Sequence, residues 1–205
     1  MKKIIILFIL VLLLFNAQMI LGASKYQAEW EEVAQERKEN LQENPQDYLS
    51  KYELAVAYAN LGKIEKATDL FKSLKKVKNE EKKLKKVIKD YEKELAPNKP
   101  DIRLINFLAF AYYTIDDYEE SNKLFKDIVS LDAKNIWSYN YLAVTEHELE
   151  KYNNAKKILK KSLEIEDDEY THFLLGANYY KQGNLFKAFY HIRKGRKAAK
   201  LFLND

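Results

Sequence analysis

Apolar residues recur at steps of three and four along most of the chain, with polar residues filling the positions between them. Leu54, Tyr58 and Leu61 form one such stripe, and Ile64, Ala67, Phe71 and Leu74 form a second after a short break. That spacing sets each group on one face of an α-helix, so the segment predicts two short antiparallel helices joined by a tight turn. The pattern "LAVAYANLGKIEKATDLF" from Leu54 returns as "LAFAYYTIDDYEESNKLF" from Leu108, "LAVTEHELEKYNNAKKIL" from Leu142 and "LGANYYKQGNLFKAFYHI" from Leu175. The starts lie 54, 34 and 33 residues apart, which defines a 34-residue unit with a 20-residue insertion after the first copy. A period of this size predicts a stacked array rather than one closed core.

Each unit carries two small residues twelve positions apart: Ala55 and Ala67, Ala109 and Ser121, Ala143 and Ala155, Gly176 and Ala188. Helices joined by a tight turn cross closely, and larger side chains there would hold the backbones apart, so these positions read as packing slots. The insertion "KKVKNEEKKLKKVIKDYEKELAPNKP" continues the apolar stripe through Leu74, Val77, Leu84, Ile88, Tyr91 and Leu95. This predicts one long helix over residues 64–95, with a bend near Asn79 as the alternative, stopped by Pro97 and Pro100. Its lysines are interspersed with Glu and Asp, which reads as a solvated face rather than a polyanion site. Upstream, Trp30, Val33, Arg37 and Leu41 predict a capping helix within residues 24–45.

The pattern resembles the tetratricopeptide repeat, whose signature runs W-x2-L-G-x2-Y, then A-x3-F, then P. Leu54, Ala55, Tyr58, Gly62, Ala67 and Phe71 match it, as do Leu108, Ala109, Tyr112, Ser121 and Phe125. Leu142, Ala143, Ala155 and Leu159 match in the third unit, and Leu175, Gly176, Tyr179, Gly183, Ala188 and Ile192 in the fourth. Lys51, Ile105, Tyr139 and His172 replace the signature Trp, and Glu146 replaces the Tyr of the third unit. The resemblance covers about residues 46–203. It implies an all-α, right-handed solenoid of four helix pairs, in units of about 48–96, 102–135, 136–168 and 169–203.

It also implies a non-catalytic protein-interaction module that binds a protein or peptide along a concave groove lined by the first helix of each pair. Carried onto this chain, the groove residues are Tyr52, Arg103, Asn106, Phe110, Tyr113, Trp137, Asn140, His147, Tyr170, Phe173 and Tyr180. Rigid aromatics offer contact area at low entropic cost, and Asn106 and Asn140 offer hydrogen bonds to an extended backbone. The alternative is that half of these aromatics pack against neighbouring helices. Tyr52, Val56, Trp137 and Tyr141 stand where family members that clamp cytosolic chaperone tails hold Lys, Asn and Arg, so that subtype is not expected.

The N-terminus "MKKIIILFILVLLLFNAQMILGASKY" joins two lysines, an apolar run and the small residues Gly22, Ala23 and Ser24. This is the anatomy of a cleaved secretory signal over residues 1–23. The rival is an uncleaved membrane tether through residues 4–23, a length that spans roughly 30 Å as a helix. Lys2 and Lys3 hold the start inside, so either case places the repeats outside the cytoplasm, secreted, periplasmic or anchored at the cell envelope.

Composition removes other classes. The formal charge of +4 falls to +2 without Lys2 and Lys3, which gives no nucleic-acid signal. The absence of Cys excludes disulfides, thiolate metal sites, thiol nucleophiles and the lipid-attachment residue of a lipoprotein. Of the three histidines, His147 begins "HELEK", where Lys151 stands in place of the second His of a zinc helix. Asp116-Asp117 and Asp167-Asp168 fall in turns, where cap chemistry outweighs a catalytic pair. No enzyme, metal or cofactor is expected. One anomaly remains in the fourth unit, where Phe186 and Tyr190 occupy second-helix positions held elsewhere by Glu65 and Asp69, Glu119 and Lys123, and Asn153 and Lys157. With Lys194, Lys197 and Leu201 they read as a docking or self-association patch on the C-terminal helix, the alternative being that the two aromatics fold over neighbouring helix ends.

Overall fold

In the computed structural model, which describes residues 24–95 and 100–203, eleven α-helices follow one another without a strand among the described residues. They are α1 (Gln27–Glu43), α2 (Tyr48–Asn60), α3 (Ile64–Lys75), α4 (Glu80–Glu94), α5 (Ile102–Thr114), α6 (Tyr118–Leu131), α7 (Ile136–Glu148), α8 (Tyr152–Ile165), α9 (Glu169–Lys181), α10 (Leu185–Lys194) and α11 (Arg196–Leu203). The export or anchor segment at residues 1–23 lies outside the described residues, as does Pro97. No helix among the described residues is long and apolar enough to cross a membrane.

Each of the four pairs begins and turns by the same local chemistry. Asp47, Asp101, Asn135 and Asp168 cap the first helices α2, α5, α7 and α9 by accepting from a backbone N–H of the first turn. Such a cap contributes about 1 kcal/mol. Asp117 and Asn184 do the same for α6 and α10, so Asp117 and Asp168 are cap residues. Between the two helices of each pair, Gly62, Asp116, Glu150 and Gly183 adopt positive φ at the same place in the unit. The residue after each donates its N–H back to Tyr58, Tyr112, Glu146 and Tyr179 at 2.8–3.0 Å, closing a Schellman turn.

The small residues sit where the helices of a pair cross. Ala55, Ala109, Ser121 and Ala155 are fully buried, and the Ser121 hydroxyl donates to the Ala109 carbonyl at 2.8 Å across the crossing. At Gly176 an added Cβ would lie 2.7 Å from Ile192 Cγ1 and 2.9 Å from its backbone nitrogen, so α9 and α10 touch backbone to backbone there.

The insertion does not form one long helix. α3 stops at Lys75, and α4 starts at Glu80 after a turn in which Asn79 adopts φ 58°. Asn tolerates this left-handed conformation because its short side chain bonds locally. The break lets α4 bury Leu84, Val87, Ile88 and Tyr91, and it packs on α5, with Tyr91 stacked on Phe107 at 5.4 Å.

The first pair makes contacts of its own further along the chain. Phe71 stacks on Phe110 at 5.8 Å, the Tyr141 hydroxyl donates to the Ala59 carbonyl at 3.0 Å, and the Gly62 turn lies against the Trp137 ring. The first pair therefore touches the third. α1 packs on α2 through Val33, Ala34 and a fully buried Trp30, which meets Phe107 edge-on. Arg37 of α1 pairs with buried Glu53, which also accepts from the Tyr91 hydroxyl, so one carboxylate joins α1, α2 and α4. Burial pushes that carboxyl up from its ordinary range, against the pull of Tyr91 and Arg37. After α10, the short basic helix α11 packs on α9, with Ala198 and Ala199 buried.

Candidate functional site

A cavity of about 390 Å³ lies between the first pair and the first helices of the other three. One wall is α2 and α3, with Tyr52, Ala59, Ile64, Thr68 and Phe71; the other is α5, α7 and α9, with Phe110, Tyr113, Trp137, Val144 and Phe173. Phe110 meets Phe125 and Tyr141 edge-on at 5.4 and 4.8 Å, which fixes the rings of the floor against each other. Lys75, Glu80 and Asp116 also line the cavity. Burial pushes the Tyr113 and Tyr141 hydroxyls well above the usual phenol range, so both stay neutral at physiological pH.

The polar groups of this lining are mostly engaged. Thr114 donates to the Phe110 carbonyl at 2.8 Å, and Asn140 Oδ1 accepts from Thr171 at 3.0 Å and Ser162 at 3.1 Å. Asn140 Nδ2 is buried without a hydrogen-bond partner.

Of the eleven residues expected along the groove, Tyr52, Phe110, Tyr113, Trp137, Asn140, Tyr170 and Phe173 line the cavity. Tyr113, Trp137, Tyr170 and Phe173 are half-buried there, while Tyr52, Phe110 and Asn140 are buried. Tyr52 is 1% exposed and its hydroxyl donates to the Phe107 carbonyl, while Phe110 is packed among three other rings. Trp137 also meets Tyr170 edge-on at 5.6 Å. The expected amide ladder is turned inward: Asn106 is buried and its Nδ2 donates to the Ile102 carbonyl one turn earlier at 2.8 Å. Arg103 is exposed and held by Asp101 at 2.8 Å, His147 sits between units with Nδ1 3.2 Å from Asn178 Oδ1, and Tyr180 is exposed outside the cavity. The groove positions assume that successive pairs stack alike, and the first pair breaks that assumption by folding across the third. Repeat position gave no sign of Ile64, Thr68 and Phe71, because second helices do not line the groove of a uniform array; the insertion was the available signal.

At the fourth pair a separate polar cluster forms. His172 Nε2 lies 2.6 Å from Asp167 Oδ1, and its Nδ1 lies 2.9 Å from His191 Nδ1. A carboxylate can only accept, so His172 donates from Nε2 to Asp167, and one of the two rings donates across the Nδ1–Nδ1 contact. Burial, then the neighbouring His172, pushes His191 down to about 4. Among the described residues no group of three or more His, Cys, Asp or Glu is arranged to hold a metal ion. On α10, Phe186 and Tyr190 do not fold over neighbours but are 92% and 55% exposed. The stripe expected through Lys194, Lys197 and Leu201 is broken at Gly195, because α11 turns back onto α9 and half-buries Leu201.

Comparison with known proteins bears on the architecture. A tetratricopeptide-repeat family model matches residues 136–165, the third helix pair. No curated protein matches the chain by sequence. Among solved structures, MamA AMB-1 superposes with a TM-score of 0.50 at 16% identity, covering 85% of this chain and 92% of that one. A second crystal structure of MamA gives 0.50 at 13% identity, covering 88% and 95%. At these identities the likeness is one of fold: a helical repeat of tetratricopeptide type.

Proposed function

We propose that the chain is an exported, non-catalytic interaction module whose cavity between α3 and α5, α7 and α9 takes an apolar side chain of a protein or peptide partner. The observation that carries this is the cavity itself, at about 390 Å³ within the usual range of about 300–1,000 Å³ for binding sites and walled mainly by aromatic rings. A single anchor fits such a site better than a long extended peptide does, since Tyr52 and Asn106 are committed to internal contacts. Repeat architecture supports a scaffold role, and the N-terminal sequence supports action at the cell envelope. The test is a photo-crosslinking amino acid at Tyr113, used in the native envelope to capture the partner, followed by binding of that partner to Val144→Phe, which fills the cavity. Loss of binding by the folded variant is expected; unchanged binding would remove the cavity as the site.

A second reading is favoured by the length of the apolar run, residues 4–23: the same module tethered to the membrane as an assembly subunit. Mass spectrometry of the native protein separates the two, with an N-terminus near Ala23 to Lys25 for export and cleavage, and intact Met1 in the membrane fraction for a tether.

A further inference from the structure

The outer face of α10 carries large apolar side chains where its counterparts carry exposed Glu65, Asp69, Glu119, Lys123, Asn153 and Lys157. Leu185, Phe186, Phe189 and Tyr190 are 62%, 92%, 71% and 55% exposed, and Ala188 is the only buried residue of the helix. At about 100° per residue, Phe186, Phe189, Tyr190 and Arg193 share one face, Leu185 flanks it, and Ala188 lies opposite against α9. Lys187 and Lys194 border the aromatic face on one side, and the Lys194 ammonium sits 5.7 Å from the centre of the Tyr190 ring. From Thr171 to Asn204 the sequence holds seven basic residues and no acid. Lys194 and Lys197 are partly balanced by Asp167 at 3.6 Å and Glu169 at 3.4 Å, both from the segment that precedes this stretch.

We propose that α10 docks on an anionic lipid bilayer, with Leu185, Phe186, Phe189 and Tyr190 entering the interface while Lys187, Arg193 and Lys194 meet the headgroups. An interfacial helix needs this pairing of aromatic face and cationic border, and clustered Lys and Arg are the recognised complement of anionic lipid. Five of the seven cations are Lys, a residue depleted in protein–protein interfaces. A second copy of the chain is a poorer occupant. Its most acidic element, α1, offers Glu29, Glu31, Glu32, Glu36, Glu39 and Glu43, but carries no exposed large apolar side chain for the α10 rings to meet.

This inference is independent of the N-terminal segment, and the test keeps it so. The chain has no Cys, so Phe189→Cys in the full chain gives one thiol for a polarity-sensitive dye and leaves Phe186 and Tyr190 in place. Lys157→Cys, on the exposed face of α8, is the control. The expected result is a blue shift at position 189 but not at 157 on phosphatidylcholine vesicles with about a third phosphatidylglycerol, absent on pure phosphatidylcholine and reversed by about 1 M salt. The shift stays absent on neutral vesicles even if residues 4–23 bind them, because only a docked α10 moves the dye out of water. Lys187→Gln with Arg193→Gln should weaken the dye-reported partitioning by roughly 30-fold. The proposal is overturned by no shift, by an equal shift on neutral vesicles or at position 157, or by a shift that grows with protein concentration without lipid, which would assign the face to a second copy.

Discussion

Gly62→Ala tests the contact that folds the first helix pair across the third. Gly62 adopts φ +68°, and a Cβ there would lie 2.6 Å from Trp137 Nε1 and 2.8 Å from Cε2 and Cζ2 of the same ring. Two costs are involved. Holding a non-glycine residue in the left-handed region costs about 1–2 kcal/mol. Forcing a packed ring to move costs a further ~1–3 kcal/mol. Gly183 occupies the same place in the fourth unit at φ +74° with nothing within 4 Å of its Cβ, so Gly183→Ala carries the backbone cost alone.

The difference between the two variants therefore isolates the Trp137 contact, at ~1–3 kcal/mol. For a chain of this size each 1 kcal/mol moves the melting temperature by about 2–4 °C. Thermal and urea unfolding followed by circular dichroism measures the cost. Tryptophan fluorescence locates it, because Trp30 is fully buried in α1 while Trp137 is half-buried at the contact, so expulsion of its ring shifts emission to the red. In a Trp137→Ala background the extra cost of Gly62→Ala should vanish, as a double-mutant cycle requires of a direct contact. Equal losses for Gly62→Ala and Gly183→Ala, or an extra loss that persists without the indole, would refute the fold-back and with it the inner wall of the cavity.

Ala143→Leu should lower stability by ~1–3 kcal/mol in denaturant unfolding, because the α7–α8 crossing at this 1% exposed residue has no room for three more carbons. Glu53→Ala should destabilise α1 before the rest of the chain, since it leaves Arg37 and Tyr91 without their shared carboxylate; hydrogen exchange should rise first across residues 27–43. The fourth pair should weaken on acidification. A base whose folded-state pKa is lowered binds its proton better when unfolded, so the stability due to neutral His191 is full above 6.5 and is lost as pH falls from 6.5 towards about 4. Melting temperature measured across that window should fall in the native chain and fall less in His191→Gln.

The helix pairs are legible in the sequence because everything that makes them is local. Asp47 accepts from Ser50 three residues on, the Gly62 turn lets Lys63 bond back to Tyr58, and Ser121 reaches Ala109 twelve positions back, all distances that a repeated spacing encodes directly. The break at Asn79 is legible only as an alternative, since the apolar stripe runs on past it and Glu81 is its single interruption. Seven of the residues that line the cavity are legible as groove positions, but its α3 wall is not. Whether Trp137 faces a partner or an internal turn depends on Gly62, and whether Tyr141 is free depends on a carbonyl 82 residues earlier. Neither contact has a period. Both belong to the first pair, whose α2 and α3 wall one side of the cavity while α4, from the 20-residue insertion, packs beside α5. The exposed face of α10 was readable for the opposite reason: its aromatics stand at positions whose counterparts are polar, and a residue that breaks register on a solvent face needs no distant contact to be noticed.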